Sequence, residues 1–210
     1  MQTLPIFENL SWLKANFYNA DESTKITDVV CMKQPHFADV VWLNHPQTEW
    51  LDCDAIATNQ TGIKLTVRTA DCAPILIADT EQHLIAAVHA GWKSAVQGLI
   101  ENTVHALIQH GADPKNMIAG IGPHLQIQSF EVSPEMKALF PPVHQHFFTQ
   151  ENGQILFDFD AYVQMRLRHA GINQIQSTGT DTFTGLTYNS YRRDPNNPAR
   201  QFSIIEIKEA

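Results

Sequence analysis

The sequence predicts an α+β fold, a single domain over residues 1–210 in which mixed β-sheets are flanked by helices. Strand-like segments come in clusters with interspersed helical segments, unlike the strict alternation that is typical of a doubly wound parallel sheet. No linker, internal repeat or low-complexity stretch divides the chain. Its 210 residues, 43% hydrophobic and 17% charged, are enough to bury a large core without disulfides.

Strands are predicted where β-branched and aromatic residues cluster between turn residues. The predicted strands are residues 27–33, 39–44, 63–69, 74–79, 83–89, 117–122 and 202–208. The short polar segment 79–82 predicts a hairpin between two of them. Several of these runs are apolar on both faces, which is typical of buried central strands.

Two helices are predicted in the middle of the chain. Apolar residues at helical spacing predict a helix from Ser94 to His110. Gly111 follows its end, where glycine adopts a left-handed backbone at little cost. Ser133 as N-cap and Pro134 at the first helical position predict a second helix over 133–140.

A third helix is predicted over residues 160–171, where the same apolar spacing returns. We expect Asp160 to be its N-cap and Gly171 to terminate it. Residues 192–201 are rich in proline and asparagine, and we expect them to form a loop, since both residues favour turns over sheet ladders.

Charge and cysteine content limit the classes of function. A net charge of −8 argues against a broad nucleic-acid interface, because clustered lysine and arginine bind phosphate backbones. The three cysteines cannot all pair with one another, which is typical of a reducing compartment. No signal-peptide pattern begins the chain, and no apolar run approaches the roughly 18 residues of a membrane span. We therefore expect a soluble cytoplasmic protein without a membrane or nucleic-acid partner; its oligomeric state stays open.

Cys72 and His89 stand at the ends of two predicted strands. Cys72 directly precedes Ala-Pro, and proline cannot donate to a sheet ladder, so we expect the cysteine at a strand end. Antiparallel pairing of segments 74–79 and 83–89 would bring Cys72 near His89. A purely structural interpretation stays open, because a free cysteine usually acts as a small buried hydrophobic residue.

Four motifs carry a resemblance to a known family. They are "TADCAPILIAD" from Thr69, "AAVHAGWKS" from Ala86, "GIGPHLQIQSFEV" from Gly120 and "SYRRD" from Ser190. From about Lys33 through Arg193 the chain resembles the YfiH/laccase-domain family. Members are variously described as polyphenol oxidases, as purine nucleoside phosphorylases with adenosine deaminase activity, and as peptidoglycan-editing factors. The resemblance implies a YfiH-like fold of the cysteine-hydrolase type.

The resemblance also implies a metal site and an anion site. Family members hold zinc through two histidines and a cysteine, which match His36, Cys72 and His89 here. This donor set suits a zinc ion with one open coordination position. The family's basic residues match Lys93, Arg192 and Arg193, which are the candidates for binding phosphate or an anionic substrate.

The chain departs from the family pattern beside both sites. Pro35 and Phe37 replace the usual valine and glycine on either side of His36. Lys93 stands where the family has arginine, and a lysine is a point charge without a bidentate fork. His124 occupies a position where the family has cysteine. These departures leave the zinc ligands in place and bear on the choice of substrate.

The function implied by the resemblance is that of a zinc-dependent purine nucleoside enzyme. It would cleave adenosine, inosine or guanosine with phosphate, and it would also deaminate adenosine by hydrolysis. Zinc with an open position lowers the pKa of bound water to about 7, which suits such a hydrolysis. Besides Cys72, the candidate catalytic residues are Asp71, which adjoins it in sequence, and His124. The small-molecule partners would be a nucleoside and phosphate.

Three alternatives stay open. The first is a copper polyphenol oxidase, which we rank lower because multicopper oxidation needs many clustered histidines. Copper could still occupy the site in vitro, since it binds more tightly than zinc. The second is a cysteine hydrolase that edits peptidoglycan precursors, with Cys72 as nucleophile and His89 as its base. The third is a non-catalytic zinc-binding module.

Overall fold

The computed structural model describes residues 1–209. In that range the strands are β1 (Leu13–Phe17), β2 (Val40–Leu43), β3 (Ala55–Thr58), β4 (Leu65–Thr69), β5 (Ala73–Asp79), β6 (Leu84–Ala90), β7 (Met117–Ile121), β8 (Glu131–Val132), β9 (Phe148–Glu151), β10 (Gln154–Phe157), β11 (Gln174–Ser177) and β12 (Gln201–Ile207). The α-helices are α1 (Pro5–Glu8), α2 (Ala20–Ser23), α3 (Trp92–Val96), α4 (Leu99–Gln109), α5 (Pro134–Ala138) and α6 (Phe159–His169). None of the helices in this range is long and apolar enough to cross a membrane.

A six-stranded mixed sheet forms the centre of the fold. Its strand order is β11-β7-β5-β6-β3-β2, with parallel pairs at the two edges and antiparallel pairs between them. Every residue of β5 and β6 is buried. The mixed sheets and interspersed helices confirm the predicted α+β class, and β5 with β6 confirms the predicted hairpin.

The central sheet has a different layer on each face, because successive side chains of a strand point to opposite sides. Ile75 and Ile77 of β5 belong to a core shared with helices α4 and α6. Leu76, between them, belongs to a second core shared with the three-stranded sheet β1-β12-β4. The fold thus has three layers: helices, the central sheet and the smaller sheet β1-β12-β4. The remaining three-stranded sheet, β8-β10-β9, lies beside the helical core.

The predicted strand over residues 27–33 is wrong. Asp28 has a φ of 57°, which interrupts an extended backbone, and Val30 and Met32 form only isolated bridges. Strand β3, which the sequence did not predict, follows at Ala55–Thr58 and is buried throughout. Its alanines lack the β-branched signal, and its strand character comes from pairing with β2 and β6 on its two sides.

The helix predicted from Ser94 to His110 is two helices. Gly98 has a φ of +95°, in the left-handed region that a right-handed helix does not allow, and it separates α3 from α4. The apolar spacing continues across this break, which is why periodicity alone predicts one element. Gly111 has a φ of +100° just beyond α4, as predicted.

The other two predicted helices are present, with one different N-cap. Ser133 caps α5, because its side chain accepts a hydrogen bond from the Met136 amide. The N-cap of α6 is Asp158, which accepts from the Ala161 amide at 2.9 Å. Asp160 instead lies in the first helical turn and accepts from the Ser177 hydroxyl at 2.6 Å.

Replacing Leu76 tests the layered core. We expect Leu76→Ala to lower the free energy of unfolding by roughly 2–5 kcal/mol, because the cavity lies between two β-layers that cannot collapse freely. The matched control is Ile108→Ala on α4, whose side chain is 41% exposed, with an expected change below about 0.5 kcal/mol. Equilibrium unfolding in urea measures both values, and an equal loss in the two variants would contradict this layer assignment.

Candidate metal centre

The β5–β6 hairpin brings Cys72 and His89 to one end of the central sheet. Pro74 pairs directly with His89 across the two antiparallel strands, and Cys72 precedes the first residue of β5. The register therefore places a residue at the entrance of one strand beside a residue near the exit of the next. The juxtaposition predicted from the sequence is confirmed.

His36 reaches the same place from a bend that precedes β2. Its Nε2 lies 3.7 Å from the Cys72 Sγ. One ligand atom from each of His36, Cys72 and His89 lies within 4.8 Å of the others, the one such group of three potential metal ligands within residues 1–209. His89 is buried, Cys72 is half-buried and His36 is exposed, so the group is open to solvent on the His36 side.

The buried carboxylate of Asp54, which the sequence did not single out, holds both histidines. Its Oδ1 accepts hydrogen bonds from the His89 Nδ1 at 2.8 Å and from the His36 amide at 3.1 Å. Its Oδ2 accepts from the Phe37 amide at 2.8 Å. Because the carboxylate is an acceptor, the His89 Nδ1 carries a proton, and Nε2 is the ring nitrogen that can bind a metal in place of its own proton.

A sequence signal for Asp54 exists but is weak. The residue directly precedes β3 and is fully buried, and a buried carboxylate must be paired. That reasoning requires β3 to be recognised as a buried strand, and its alanine-rich sequence hides this. The partners also come from positions 18 and 35 residues away in the chain, so sequence spacing does not reveal them.

Backbone geometry fixes the loop that carries His36. Gln34 and His36 have φ angles of 62° and 68°, which are strained for residues other than glycine. The Gln34 side chain donates to the Arg68 carbonyl at 2.6 Å and accepts from the Arg68 amide at 2.9 Å, so β4 holds the loop. Gly91 leaves room for the imidazole, because a Cβ there would lie 2.7 Å from the His36 Cδ2.

The electrostatics of the group favour a thiolate. Burial alone raises the pKa of Cys72, but the positive charge of His89 and hydrogen bonds from His36 and His89 outweigh it and lower the pKa to about 6. Burial lowers the pKa of His89, and the Cys72 thiolate together with the Asp54 hydrogen bond raises it to about 9. A thiolate and two oriented imidazoles are the donors that zinc prefers, so these residues fit a metal ion.

A cavity of about 480 Å³ opens beside the group. Its wall combines aromatic side chains, among them Trp92, Phe130, Phe159 and Tyr191, with positive ones. The cations on the wall are Lys33, Arg68, Arg192 and Arg200. The arrangement can therefore hold a flat apolar group and an anion next to the candidate metal ligands.

Of the three cations predicted to bind an anion, Arg192 lines this cavity. Arg193 does not line it, and its guanidinium donates to the carbonyls of Thr182, Phe183 and Tyr188, a structural use. Lys93 is exposed on α3 and is not among the lining residues. Sequence reasoning missed Lys33, Arg68 and Arg200, which stand in three separate segments of the chain.

The two predicted acid–base candidates occupy different environments. Asp71 lines the cavity, and its carboxylate accepts from the Thr182 hydroxyl and the Arg192 amide, both at 2.6 Å. His124 is fully buried against Phe159, with its Nδ1 2.8 Å from the Gly122 carbonyl oxygen. Burial lowers the pKa of His124, so its neutral form is favoured, and the residue is not among those that line the cavity.

Fold and site together define an α+β protein with a candidate metal centre in a small-molecule cavity. The chain belongs to the family described as multi-copper polyphenol oxidoreductase laccase, whose model matches residues 8–208. This finding confirms the resemblance to the YfiH/laccase-domain family.

Similar proteins have been named and solved. A purine nucleoside phosphorylase of Deinococcus radiodurans is 30% identical over 205 residues, 97% of this chain and 78% of that protein. The Escherichia coli purine nucleoside phosphorylase YfiH is 32% identical over 169 residues, 79% of this chain and 68% of that protein. The crystal structure of Bacillus licheniformis hypothetical protein YfiH superposes with a TM-score of 0.79 at 25% identity, covering 90% of this chain and 78% of that one.

Replacing Asp54 tests its hold on the metal ligands. In Asp54→Asn an amide N–H₂ must face at least one of the three N–H donors, so we expect affinity for zinc to fall about 10–100-fold. Competition with a chromophoric chelator measures the affinity. The control is Asp52→Asn, an exposed carboxylate whose loss should change the affinity less than about twofold. Equal affinities in the two variants would contradict the role of Asp54.

The reactivity of Cys72 tests the thiolate. At pH 7 iodoacetamide should label Cys72 in the metal-free protein before Cys31 and Cys53, because a pKa of about 6 leaves Cys72 ionised. Burial raises the pKa of Cys31, and that of Cys53 to about 12. Labelling should rise as the pH passes 6, and added zinc should suppress it. Peptide mass spectrometry locates the label; equal labelling of all three thiols would contradict the assignment.

Proposed function

We propose that the protein is a metal-dependent purine nucleoside phosphorylase that cleaves adenosine, inosine or guanosine with phosphate. The observation that carries the proposal is one cavity whose wall joins the His36–Cys72–His89 group, aromatic rings and arginines. The names of the curated relatives from Deinococcus radiodurans and Escherichia coli, both purine nucleoside phosphorylases, support it.

The cavity has the size and lining that a nucleoside needs. Its volume of about 480 Å³ lies in the range of small-molecule sites. A purine can stack on the rings of Phe130, Phe159 or Tyr191, which supply a rigid apolar surface. The ribose would then lie between the base and the cations of the wall.

The reaction requires the chain to hold phosphate against the ribose. A phosphate oxygen attacks C1′, the C1′–N9 bond breaks, and its electron pair leaves with the purine, which takes up a proton. The products are ribose 1-phosphate and the free base. Positive side chains on the wall, Arg192 among them, orient the phosphate and offset its charge, so that two reactants meet in one geometry.

We propose zinc as the metal, held by His36, Cys72 and His89 with Asp54 behind the two histidines. Two imidazoles and a thiolate suit zinc, and when bound the ion supplies a Lewis acid on the cavity wall. The chain's own part is to keep Cys72 ionised and to hold the His89 Nδ1 on Asp54, so that zinc would bind at Nε2 in place of a proton. Copper competes for the same donors because its affinity for them is higher.

Adenosine deamination is a second proposed activity at the same site. Water would replace the 6-amino group, and this exchange needs a residue that moves protons beside the base. Among the described residues that line the cavity, Asp71 carries the only carboxylate, which favours it for this role. Its bonds to Thr182 and to the Arg192 amide would hold the carboxylate in position.

The geometry supports the rival functions less well. A multicopper oxidase needs several metal centres, whereas the described residues bring one group of three ligands together. A cysteine hydrolase would use Cys72 with His89, but such a pair does not require the third donor, His36, at 3.7 Å from the sulfur. A non-catalytic zinc module has no need of a cavity beside the metal.

Product analysis decides between these functions. Zinc-loaded protein is incubated with adenosine, inosine or guanosine, with and without phosphate, and the free base, ribose 1-phosphate and inosine are followed. Phosphate-dependent release of base and ribose 1-phosphate supports the main proposal, and phosphate-independent conversion of adenosine to inosine supports the second. If no nucleoside reacts while phenols or UDP-muramoyl peptides are consumed, both proposals fall.

Removing the thiolate tests the centre in the same assay. We expect Cys72→Ala to lower bound zinc below one equivalent and kcat/KM by at least about 100-fold, because one of three ligands is lost. Cys31→Ala, which removes a thiol outside the group, is the control and should keep its zinc and activity. Full metal content and activity in Cys72→Ala would show that the ligand assignment is wrong.

A further inference from the structure

Two residues that line the cavity each have a buried side-chain atom without a partner in the part of the chain that the structure describes. The Nε of Arg68 and the Oγ1 of Thr69 have no hydrogen-bond partner among the described residues, and both residues line the cavity. Native proteins rarely leave such atoms unpaired, so we expect a water or a bound group to complete each of them. Both atoms are N–H or O–H donors, which suits an acceptor-rich group.

The charge around these atoms selects an anion. Arg200 and Lys33 line the same cavity; the Arg200 Nη1 also donates to the Asn197 and Ala199 carbonyls, and Lys33 pairs with the exposed Asp52 carboxylate. Burial together with the positive charge of Arg200 lowers the pKa of the Arg68 guanidinium. Both carboxylate oxygens of Asp71 already accept hydrogen bonds from the protein. A tetrahedral anion between the cations would relieve their repulsion and accept from their N–H groups.

Packing against Trp50 orients the Arg68 guanidinium to bind such a group. The Trp50 ring lies 3.9 Å from the guanidinium carbon, and stacking on one face leaves the donors at the edge of the plane to bind. The Arg68 backbone is fastened through the Gln34 amide to the loop of His36. The strand segment that would bind the anion is therefore connected directly to the loop that carries His36.

We propose that Arg68, with Thr69 and Arg200, binds the inorganic phosphate that attacks the nucleoside. The identity of the anion rests on the proposed function. This assignment moves the phosphate site away from Lys93 and Arg193, which lie outside the cavity wall. A phosphate ester, such as a nucleoside 5′-phosphate, has the same chemistry, and the test separates the two.

Phosphate binding and phosphate kinetics test the proposal. Zinc-loaded protein is titrated calorimetrically with inorganic phosphate and, separately, with AMP. Arg68→Gln should weaken phosphate binding at least about tenfold, since it removes a charged bidentate donor, and Arg68→Lys should recover part of the loss. The KM for phosphate should rise by a similar factor while the KM for nucleoside changes little. Arg168→Gln, an exposed cation on α6, is the matched control and should leave both unchanged.

Each possible result either supports or overturns the proposed phosphate site. Unchanged phosphate binding in Arg68→Gln overturns the proposal, and so does a loss confined to AMP. Thermal unfolding and bound zinc show whether that variant folds; if it does not, Thr69→Val and Arg68→Lys must each weaken phosphate binding, or the proposal falls. Phosphate binding that depends on Arg68 in a protein that cleaves no nucleoside supports this site and removes the proposed function. If the protein catalyses phosphorolysis but Arg68→Gln leaves the KM for phosphate unchanged, the proposed function is supported and the phosphate site is overturned.

Discussion

The buried carboxylate of Asp54 is the interaction on which the candidate site depends. It accepts hydrogen bonds from the imidazole of His89 and from the backbone of the His36 loop, so that one side chain orients ligands from two distant segments. A carboxylate without solvent is stable only when it is fully bonded. A single buried side chain therefore couples the candidate site to the packing at this end of the sheet.

The central hairpin provides the rigidity that this arrangement needs. Strands β5 and β6 are buried along their whole length between two cores, and their register sets Cys72 beside His89. The more open members of the site come from loops: His36 lies on a bend, and Arg192 and Arg200 lie near the C-terminal strand. Two ligands placed by the hairpin register, with cations supplied by loops, form a site on a rigid scaffold.

Most elements with a strong local signal were predictable, although the strand predicted over residues 27–33 has such a signal and does not form. The hairpin, the C-terminal strand and the glycines after α4 and α6 follow from apolar runs and from glycine's freedom at positive φ. The break at Gly98 was not predicted, because the helical spacing of apolar residues continues through it. Strand β3 was not predicted either, since alanine has no strand preference and this segment is a strand because it pairs with β2 and β6.

By itself the sequence determined the fold class and the pairing of Cys72 with His89, because hydrophobic periodicity and hairpin register are local properties of the chain. Family motifs, and not spacing, pointed to His36. Only the tertiary structure decided that Asp54 orients the histidines, that Lys93 and Arg193 lie off the cavity wall, and that Arg68 and Arg200 lie on it. Burial and hydrogen bonding between distant segments determine these positions, and neither produces a periodic pattern in the sequence.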